Sequence, residues 1–545
     1  MTLAMTERLT IALAQLNPTV GAIAQNLAKA RDALAQARGA DLVVFPELFI
    51  CGYPPEDLVL RAAFVTACRD AVTELARDTA DGPGILMGLP WREGKHLYNA
   101  VALLDRGRIA ALRYKADLPN YGVFDEKRVF NAGPPPAPIN FRGVRLGVPI
   151  CEDIWTETVC RTLADAGAEI LLSPNGSPFE RNKDDVRLNL VVGRVTETRL
   201  PLAYVNQVGG QDELVFDGAS FVLNADRTLA LQCPMFEEAV ALTHWVKEKH
   251  GWRMEKGEQA RIPEQEEETW QACVLGLRDY VDKNRFPGVV LGLSGGIDSA
   301  VVAAMAVDAL GAARVHCVML PYEYTSKDSL TDAEECARLL GVRYDVVPIK
   351  APVEGFLSAL QPLFAGTNEG VTEENIQSRA RGVILMAISN KFGAMVLTTG
   401  NKSEMSVGYA TLYGDMNGGY NPIKDVYKTE VYRLAAWRNR QGRVIPERII
   451  TKAPTAELRP NQTDQDTLPP YAVLDDILQG LVENEETVAG IAARGHDEKL
   501  VRRIQHMLYI AEYKRRQAAP GVKITRRNFG RDRRYPITNA YRDPS

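Results

Sequence analysis

Residues 289–311, VVLGLSGGIDSAVVAAMAVDALG, restrict the fold of this chain more than any other stretch. The apolar run from Gly288 to Leu293 reads as a buried strand and Ser294–Ser299 as a tight turn. The Ala-rich run that follows reads as a helix ending at Gly311. RVHCVMLP, RYDVVPI and AMVLTTGN continue the alternation with helical segments between them, the pattern of a doubly wound parallel sheet. The turn also carries chemistry. Its backbone N–H groups and the helix N-terminus form an anion site, and Gly295 and Gly296 let backbone approach phosphate. Ser294 and Ser299 add hydroxyls. A phosphate loop of the common G-x-x-x-x-G-K-[ST] type needs a Lys before its last hydroxyl residue, whereas here Asp298 precedes Ser299. An acid there repels bare phosphate but suits a magnesium ion bridging phosphates. A bare Gly-Gly turn would favour a purely topological role; S-G-G-x-D-S at a strand-to-helix junction favours function.

At 545 residues the chain is long enough for two or more domains. Residues 247–268 are charged, poor in aliphatics and contain Pro263. The expected division is 8–247, a linker over 248–264, and 265–545. Before the linker, short apolar runs such as LTIALAQL, ADLVVFPEL and VRLGVPIC alternate with Ala-rich helical segments such as NLAKARDALAQARGA, pointing to layered α/β. The net charge of −5 gives no global case for nucleic-acid or membrane binding. No apolar run reaches membrane-spanning length, and the start lacks the layout of a signal peptide. Eight scattered Cys without a C-x-x-C pair exclude the usual zinc spacings and indicate a reducing, cytoplasmic setting.

SGGIDS resembles the signature of the ATP pyrophosphatase enzymes, which cleave ATP between its α and β phosphates. With ENIQSRARG, TTGNKSEMSVGY, YGD, NPIKDVYKTEVYRLA and GRDRRYPITN, the second half resembles the NAD synthetase family over roughly residues 265–545. The resemblance implies ATP contacts at Gly292, Leu293, Ser294, Gly295, Gly296, Ile297, Asp298, Ser299, Thr399 and Lys428. It implies deamido-NAD contacts at Asn375, Arg379, Glu404, Asp415 and Lys514, and magnesium at Asp298 and Glu404. Singly, Lys402, Glu404 and Lys428 would read as a solvated helix face; their weight comes from occurring together in order. Two polyanionic substrates need Arg, Lys, backbone N–H groups and a cation to be held together. Residues 511–545 carry ten Lys and Arg against three acids. Such a tail could bind nucleic acid or be a solvated terminus, but its aromatic and β-branched residues favour an ordered segment closing over a nucleotide.

In the first half, Cys151 stands at a turn between an apolar run and a helix start, where a thiol pKa can be lowered. A lone Cys there is more often core. Glu47 in FPELF and Lys115 in RYKADLPNYG also follow strand ends, so three strand ends can converge on one rim. These stretches resemble the nitrilase superfamily of carbon–nitrogen hydrolases over about residues 8–247. The resemblance implies a four-layer α-β-β-α sandwich with Glu47 as general base, Cys151 as nucleophile and Lys115 as oxyanion stabiliser. Glu126 matches the family's second Glu, and Tyr121, Ser177 and Lys183 match glutamine-binding positions.

Together the resemblances imply an amidase half that releases ammonia from glutamine and an adenylating half that uses ATP to amidate deamido-NAD. The expected partners are those three small substrates, with ATP as co-substrate and Mg2+ as cofactor, and neither nucleic acid nor membrane. The synthetase resemblance implies a homo-oligomer, at least a dimer. A glutamine-fed amidotransferase with another acceptor is the alternative enzyme, and a dinucleotide-binding regulator without turnover is the alternative to an enzyme.

Overall fold

The computed structural model describes residues 7–460, 462–541 and 543; residues 1–6, read above for a leader, and Arg542 of the basic tail lie outside them. The chain divides into two compact units, Met1–Pro263 and Glu264–Ser545. Among the described residues no helix is long and apolar enough to cross a membrane.

The first unit runs β1 (Arg8–Gln15), β2 (Leu42–Val44), β3 (Gly84–Glu93), β4 (His96–Asp105), β5 (Arg108–Tyr114), β6 (Ile139–Phe141), β7 (Val144–Gly147), β8 (Ile170–Asn175), β9 (Leu202–Asn206), β10 (Val208–Gln211), β11 (Leu214–Asp217), β12 (Phe221–Leu223), β13 (Leu229–Gln232), β14 (Ala239–Glu248) and β15 (Gly251–Met254). One sheet has the order β15-β14-β1-β2-β3-β4-β5 and the other β13-β12-β9-β8-β7-β6. Helices α1 (Ile23–Gln36), α2 (Ala62–Ala76), α3 (Glu157–Asp165) and α4 (Lys183–Thr198) complete it.

Side-chain alternation along the central strands defines the layers. On β1, Leu9, Ile11 and Leu13 enter a core shared with Ile170 and Leu172 of β8 and Ala203 and Val205 of β9, so these faces meet sheet to sheet. The intervening Ala12 and Ala14 pack with α1 and α2, while Leu171, Leu202 and Tyr204 face the apolar sides of α3 and α4. Strands buried on both faces read as continuous apolar runs, which is why LTIALAQL and AEILLSP show no polar alternation. The result is an α-β-β-α sandwich.

The segment expected as a linker over 248–264 contributes β15, paired antiparallel with β14 from Trp245↔Met254 to Glu248↔Gly251. Trp252 and Met254 point into the inter-sheet core and Gly251 lies exposed, a strand period hidden among charges.

The second unit holds a parallel sheet of β16 (Val289–Gly292), β17 (Val315–Met319), β18 (Arg343–Val346) and β19 (Met395–Val396) in the order β18-β17-β16-β19. The strand order reverses at β16, and ligands of such sheets bind in the crevice beyond the strand ends at that point. Its helices include α5 (Gln265–Lys283), α6 (Ile297–Leu310), α7 (Lys327–Leu340), α8 (Lys350–Phe364), α9 (Val371–Phe392), α10 (Lys402–Val407) and α11 (Lys428–Arg440). Helix α6 is buried almost all round because Ala300, Ala303, Ala304 and Ala306 let α5 and α11 pack closely.

The basic tail is ordered, but its buried cations face inward. Ile524 and Thr525 donate their amides to Asp425 at 2.8 and 2.7 Å. Phe529 joins a core with Leu474, Ile477 and Val501. The guanidinium groups of Arg515 and Arg533 stack on its ring and pair with Glu512 at 2.8 and 3.2 Å. Lys523 pairs with Asp532 at 3.0 Å.

Candidate active sites

In the first unit the sandwich carries Glu47, Lys115 and Cys151 to one buried point. Glu47 lies just beyond β2, Lys115 immediately after β5, and Cys151 in a tight turn after β7 with φ +46°. That left-handed backbone at a residue with a side chain is strained, a state that persists where the surroundings enforce it and that clusters at active sites. Lys115 Nζ donates to Glu47 at 2.6 Å and to Glu126 at 3.0 Å. Asn99 donates to Glu47 at 2.7 Å, Tyr53 OH to Glu126 at 2.8 Å, and the Gly176 amide to the other Glu47 oxygen at 2.9 Å. A Cβ on Gly176 would stand 2.8 Å from the Tyr53 ring and 3.2 Å from that oxygen, so only glycine allows this approach.

The charges are interdependent. Burial works against the Lys115 ammonium, but Glu126 and Glu47 hold its pKa well above the ordinary value. Burial and the Glu47 charge push the Cys151 thiol well up, while Lys115 and the Gly176 amide pull it back. Burial beside Glu47 thus favours the uncharged thiol. Neither Asn99 nor Tyr53 was anticipated from the sequence.

Of the other expected positions, Tyr121 is half exposed and its hydroxyl bonds both oxygens of Glu152 at 3.0 and 3.1 Å. Glu152, next to Cys151, is held above the usual carboxylate range by burial. Ser177 is buried, and its hydroxyl accepts a hydrogen bond from Arg187 at 3.1 Å. Lys183 starts α4 with its ammonium 6.0 Å from the centre of the Phe124 ring. Glu152 and Arg187 also escaped the sequence reading.

In the second unit a cavity of about 300 Å³ opens at the end of β16. Gly292, Leu293, Ser294, Gly296, Ile297, Asp298 and Ser299 line it, with Thr399, Glu404, Asp415 and Lys428. Gly295, beneath the loop, has φ +77°, and a Cβ there would meet the Ser329 carbonyl at 2.3 Å. The Ser294 and Ser299 hydroxyls lie 3.1 Å apart, and the Gly296 amide bonds Ser294 at 3.2 Å. Lys428, at the start of α11, forms a short ion pair with Asp298 and lies 3.5 Å from Glu404. Burial, then the neighbouring Asp298 and Asp464 charges, push Glu404 up to about 8 despite Lys428. Asn401, unanticipated, donates to Asp298 at 3.0 Å and caps α10 at Glu404.

The remaining four expected residues gather around the segment 408–415. Asn375 accepts from the Thr411 hydroxyl at 2.9 Å, and Arg379 donates to the Leu412 carbonyl at 3.2 Å. Asp415 accepts from the Thr411 amide at 2.6 Å, and Lys514 donates to the Gly408 and Ala410 carbonyls at 2.7 Å. Of the four, Asp415 alone reaches the cavity wall. Arg381, Lys452, Thr455 and Asp464 also line it and were not anticipated. No residue of 511–541 lines it, so the ordered tail does not cover the cavity.

Among the described residues no group of three or more His, Cys, Asp or Glu forms a ready metal cage. The Asp298 carboxylate on the phosphate-type loop and the Glu404 carboxylate, both on the cavity wall and partly exposed, are a donor pair that fits magnesium nonetheless. That ion is usually held by one or two carboxylates with substrate phosphates and water.

Comparison with known proteins agrees with this division. The carbon–nitrogen hydrolase family profile matches residues 10–247 and the NAD synthase profile residues 269–518. A glutamine-dependent NAD(+) synthetase of Rhodobacter capsulatus is 54% identical over 99% of this chain and its own full length. The chain belongs to the glutamine-dependent NAD(+) synthetase family. The protein of that name from Xanthomonas campestris is 48% identical over 98% of each chain. The solved glutamine-dependent NAD+ synthetase of Acinetobacter baumannii, in complex with ADP, superposes with a TM-score of 0.79 at 42% identity. It covers 99% of this chain and 100% of its own. The triad therefore lies in the carbon–nitrogen hydrolase unit and the loop cavity in the NAD synthase unit.

Proposed function

We propose that this chain amidates deamido-NAD to NAD at the expense of ATP, with ammonia released from glutamine. The observation that carries this reading is the presence, in one chain, of a buried Glu47–Lys115–Cys151 cluster and a cavity built on the Asp298 loop. At the first site Glu47 takes the thiol proton as Cys151 attacks the glutamine amide carbon. Lys115 stabilises the oxyanion, and ammonia leaves with the proton that Glu47 returns. Water then hydrolyses the glutamyl thioester to glutamate, with Glu47 again the base. Tyr121, Glu152 and Lys183 stand at positions that suit the charged end of glutamine.

At the second site the nicotinate carboxylate attacks the α phosphorus of ATP, pyrophosphate leaves, and ammonia displaces AMP from the acyl adenylate. The Ser294–Ser299 loop and Lys428 hold the phosphates, with Thr399 beside them. Asp298 and Glu404 would hold magnesium, which supplies charge neutralisation on the phosphates. Asn375, Arg379, Asp415 and Lys514 shape the deamido-NAD end through the segment 408–415. Outward-facing Phe356, Leu363, Val371, Val383 and Phe392 on α8 and α9 support a homo-oligomer, and eight buried free cysteines support a reducing, cytoplasmic setting. The test is mass-spectrometric detection of NAD from deamido-NAD, ATP and glutamine; no NAD with either glutamine or ammonium rejects the assignment.

A further inference from the structure

Arg187 is sunk into the carbon–nitrogen hydrolase unit with 2% of its side chain exposed. Its Nε donates to the Ser177 hydroxyl at 3.1 Å, and its Nη1 to the two Asp217 oxygens at 2.8 and 2.6 Å. Its Nη2 donates to the Ser177 and Pro178 carbonyls at 2.9 and 2.8 Å. All three guanidinium nitrogens are thereby engaged. A hydrophobic side chain would fill the same volume without the cost of burying an ion pair, so stability alone is a weak explanation for a charge here.

What the fork grips is the loop after β8. Ser177 is held on its other side by Asn206, which accepts from the Ser177 amide at 2.9 Å and donates to its carbonyl at 3.0 Å. Asn206 also reaches Asp217 at 3.4 Å. The preceding residue is Gly176, whose amide bonds Glu47 at 2.9 Å and lies near enough to Cys151 to help hold its thiol pKa down. The amide that holds the base beside Cys151 therefore belongs to a loop fixed by Arg187. With no room for a side chain at Gly176, a small displacement of Ser177 moves the amide against Glu47.

We infer that Arg187, clamped by Asp217, is a positioning residue of the glutaminase: it fixes the loop from Asn175 to Pro178 so that the Gly176 amide aligns Glu47 with Cys151. The inference rests on the triad assignment above. Arg187→Lys keeps a cation opposite Asp217 but cannot bond Asp217, Ser177 and Pro178 together. The full-length variant is expected to melt near the wild-type temperature yet lose ~10- to 100-fold in kcat for glutamine hydrolysis, the scale of a misplaced catalytic group. The KM for glutamine should change far less, and the pH profile of Cys151 alkylation by iodoacetamide should shift. Ammonium-dependent NAD synthesis should stay near the wild-type rate. Asp217→Asn, nearly isosteric, should follow the same pattern in weaker form and serves if Arg187→Lys does not fold.

Wild-type kcat and alkylation profile in a folded variant overturn the inference. So does a raised KM with unchanged kcat, which would make Arg187 a substrate-binding group. Failure of the triad assignment itself is recognised separately, by glutamine hydrolysis surviving in Cys151→Ala.

Discussion

In the carbon–nitrogen hydrolase unit the candidate site is sealed in: the Glu47 and Lys115 side chains have no exposed surface. In the NAD synthase unit their counterparts ring an open cavity, and the Asp298 and Glu404 side chains keep 16% and 18% of theirs. Both sites pair one Lys with two carboxylates. In the first, Lys115 sits between Glu47 and Glu126 with Asn99, Tyr53 and Gly176 completing the bonding, so the site is finished before substrate arrives. In the second, Lys428 is shared by Asp298 and Glu404, and Glu404 is still pushed up to about 8 by burial and its acidic neighbours. Substrate size explains the contrast. An amide needs one nucleophile and one oxyanion donor, best fixed in a dry site, whereas two polyanions need room and added positive charge.

The contrast predicts separable failures. Cys151→Ala should lower glutamine-dependent NAD synthesis by more than about 10³-fold, since a lone triad member can cost nearly as much as the whole triad. Synthesis from ammonium salt at raised pH should persist. Loss of both activities in a folded Cys151→Ala protein would break the division between the units.

The mirror-image change is Asp298→Asn, which takes the charge from the loop and half of the Lys428 pairing. NAD synthesis should fall by roughly 10²- to 10³-fold with either nitrogen source, the scale of losing one charge-stabilising group. Initial rates of glutamine hydrolysis should be retained. Normal synthesis would remove Asp298 from the chemistry.

A third change asks whether the basic tail belongs to the core or to the cavity. Arg533 is buried against Glu512, Phe529 and Tyr535. Arg533→Ala should therefore cost about 1.5–3 kcal/mol in urea unfolding, the value of hydrogen bonds to charged groups. At low temperature the KM for deamido-NAD should stay near wild type. A large rise in that KM without loss of stability would return the tail to the substrate site.

Both centres announced themselves in sequence where a glycine, a strained turn or a strand end fixes a reactive group locally: SGGIDS, FPEL and the turn at Cys151. The groups that complete them do not obey local rules. Asn99 lies mid-strand on β4 and Arg187 on α4, and both matter because a long or polar side chain crosses to another element, which only tertiary packing decides. The linker expectation stumbled for a related reason: in GWRM the alternation of Trp252 and Met254 is a strand signal, outweighed by flanking charge. The tail is ordered as its aromatic and β-branched residues imply, but it does not close over the cavity, because its buried cations pair with Glu512 and Asp532, which composition cannot match to partners.

The smallest predicted effect probes the rim of the sealed site. Tyr121 OH is bonded to both oxygens of Glu152 but is half exposed. Water can therefore replace either partner, and the bond is worth about 0.5–1.5 kcal/mol. Tyr121→Phe removes only that hydroxyl and leaves the packing on Phe124, whose ring centre is 5.6 Å away. The expected result is a rise in glutamine KM of about two- to tenfold with kcat nearly unchanged, because the hydroxyl touches the neighbour of Cys151 rather than the triad. Ammonium-dependent synthesis should not respond. Steady-state glutaminase kinetics at fixed pH decide the matter. If kcat falls instead, the rim is part of the preorganised centre, and the boundary between sealed triad and open approach must be drawn outside Glu152.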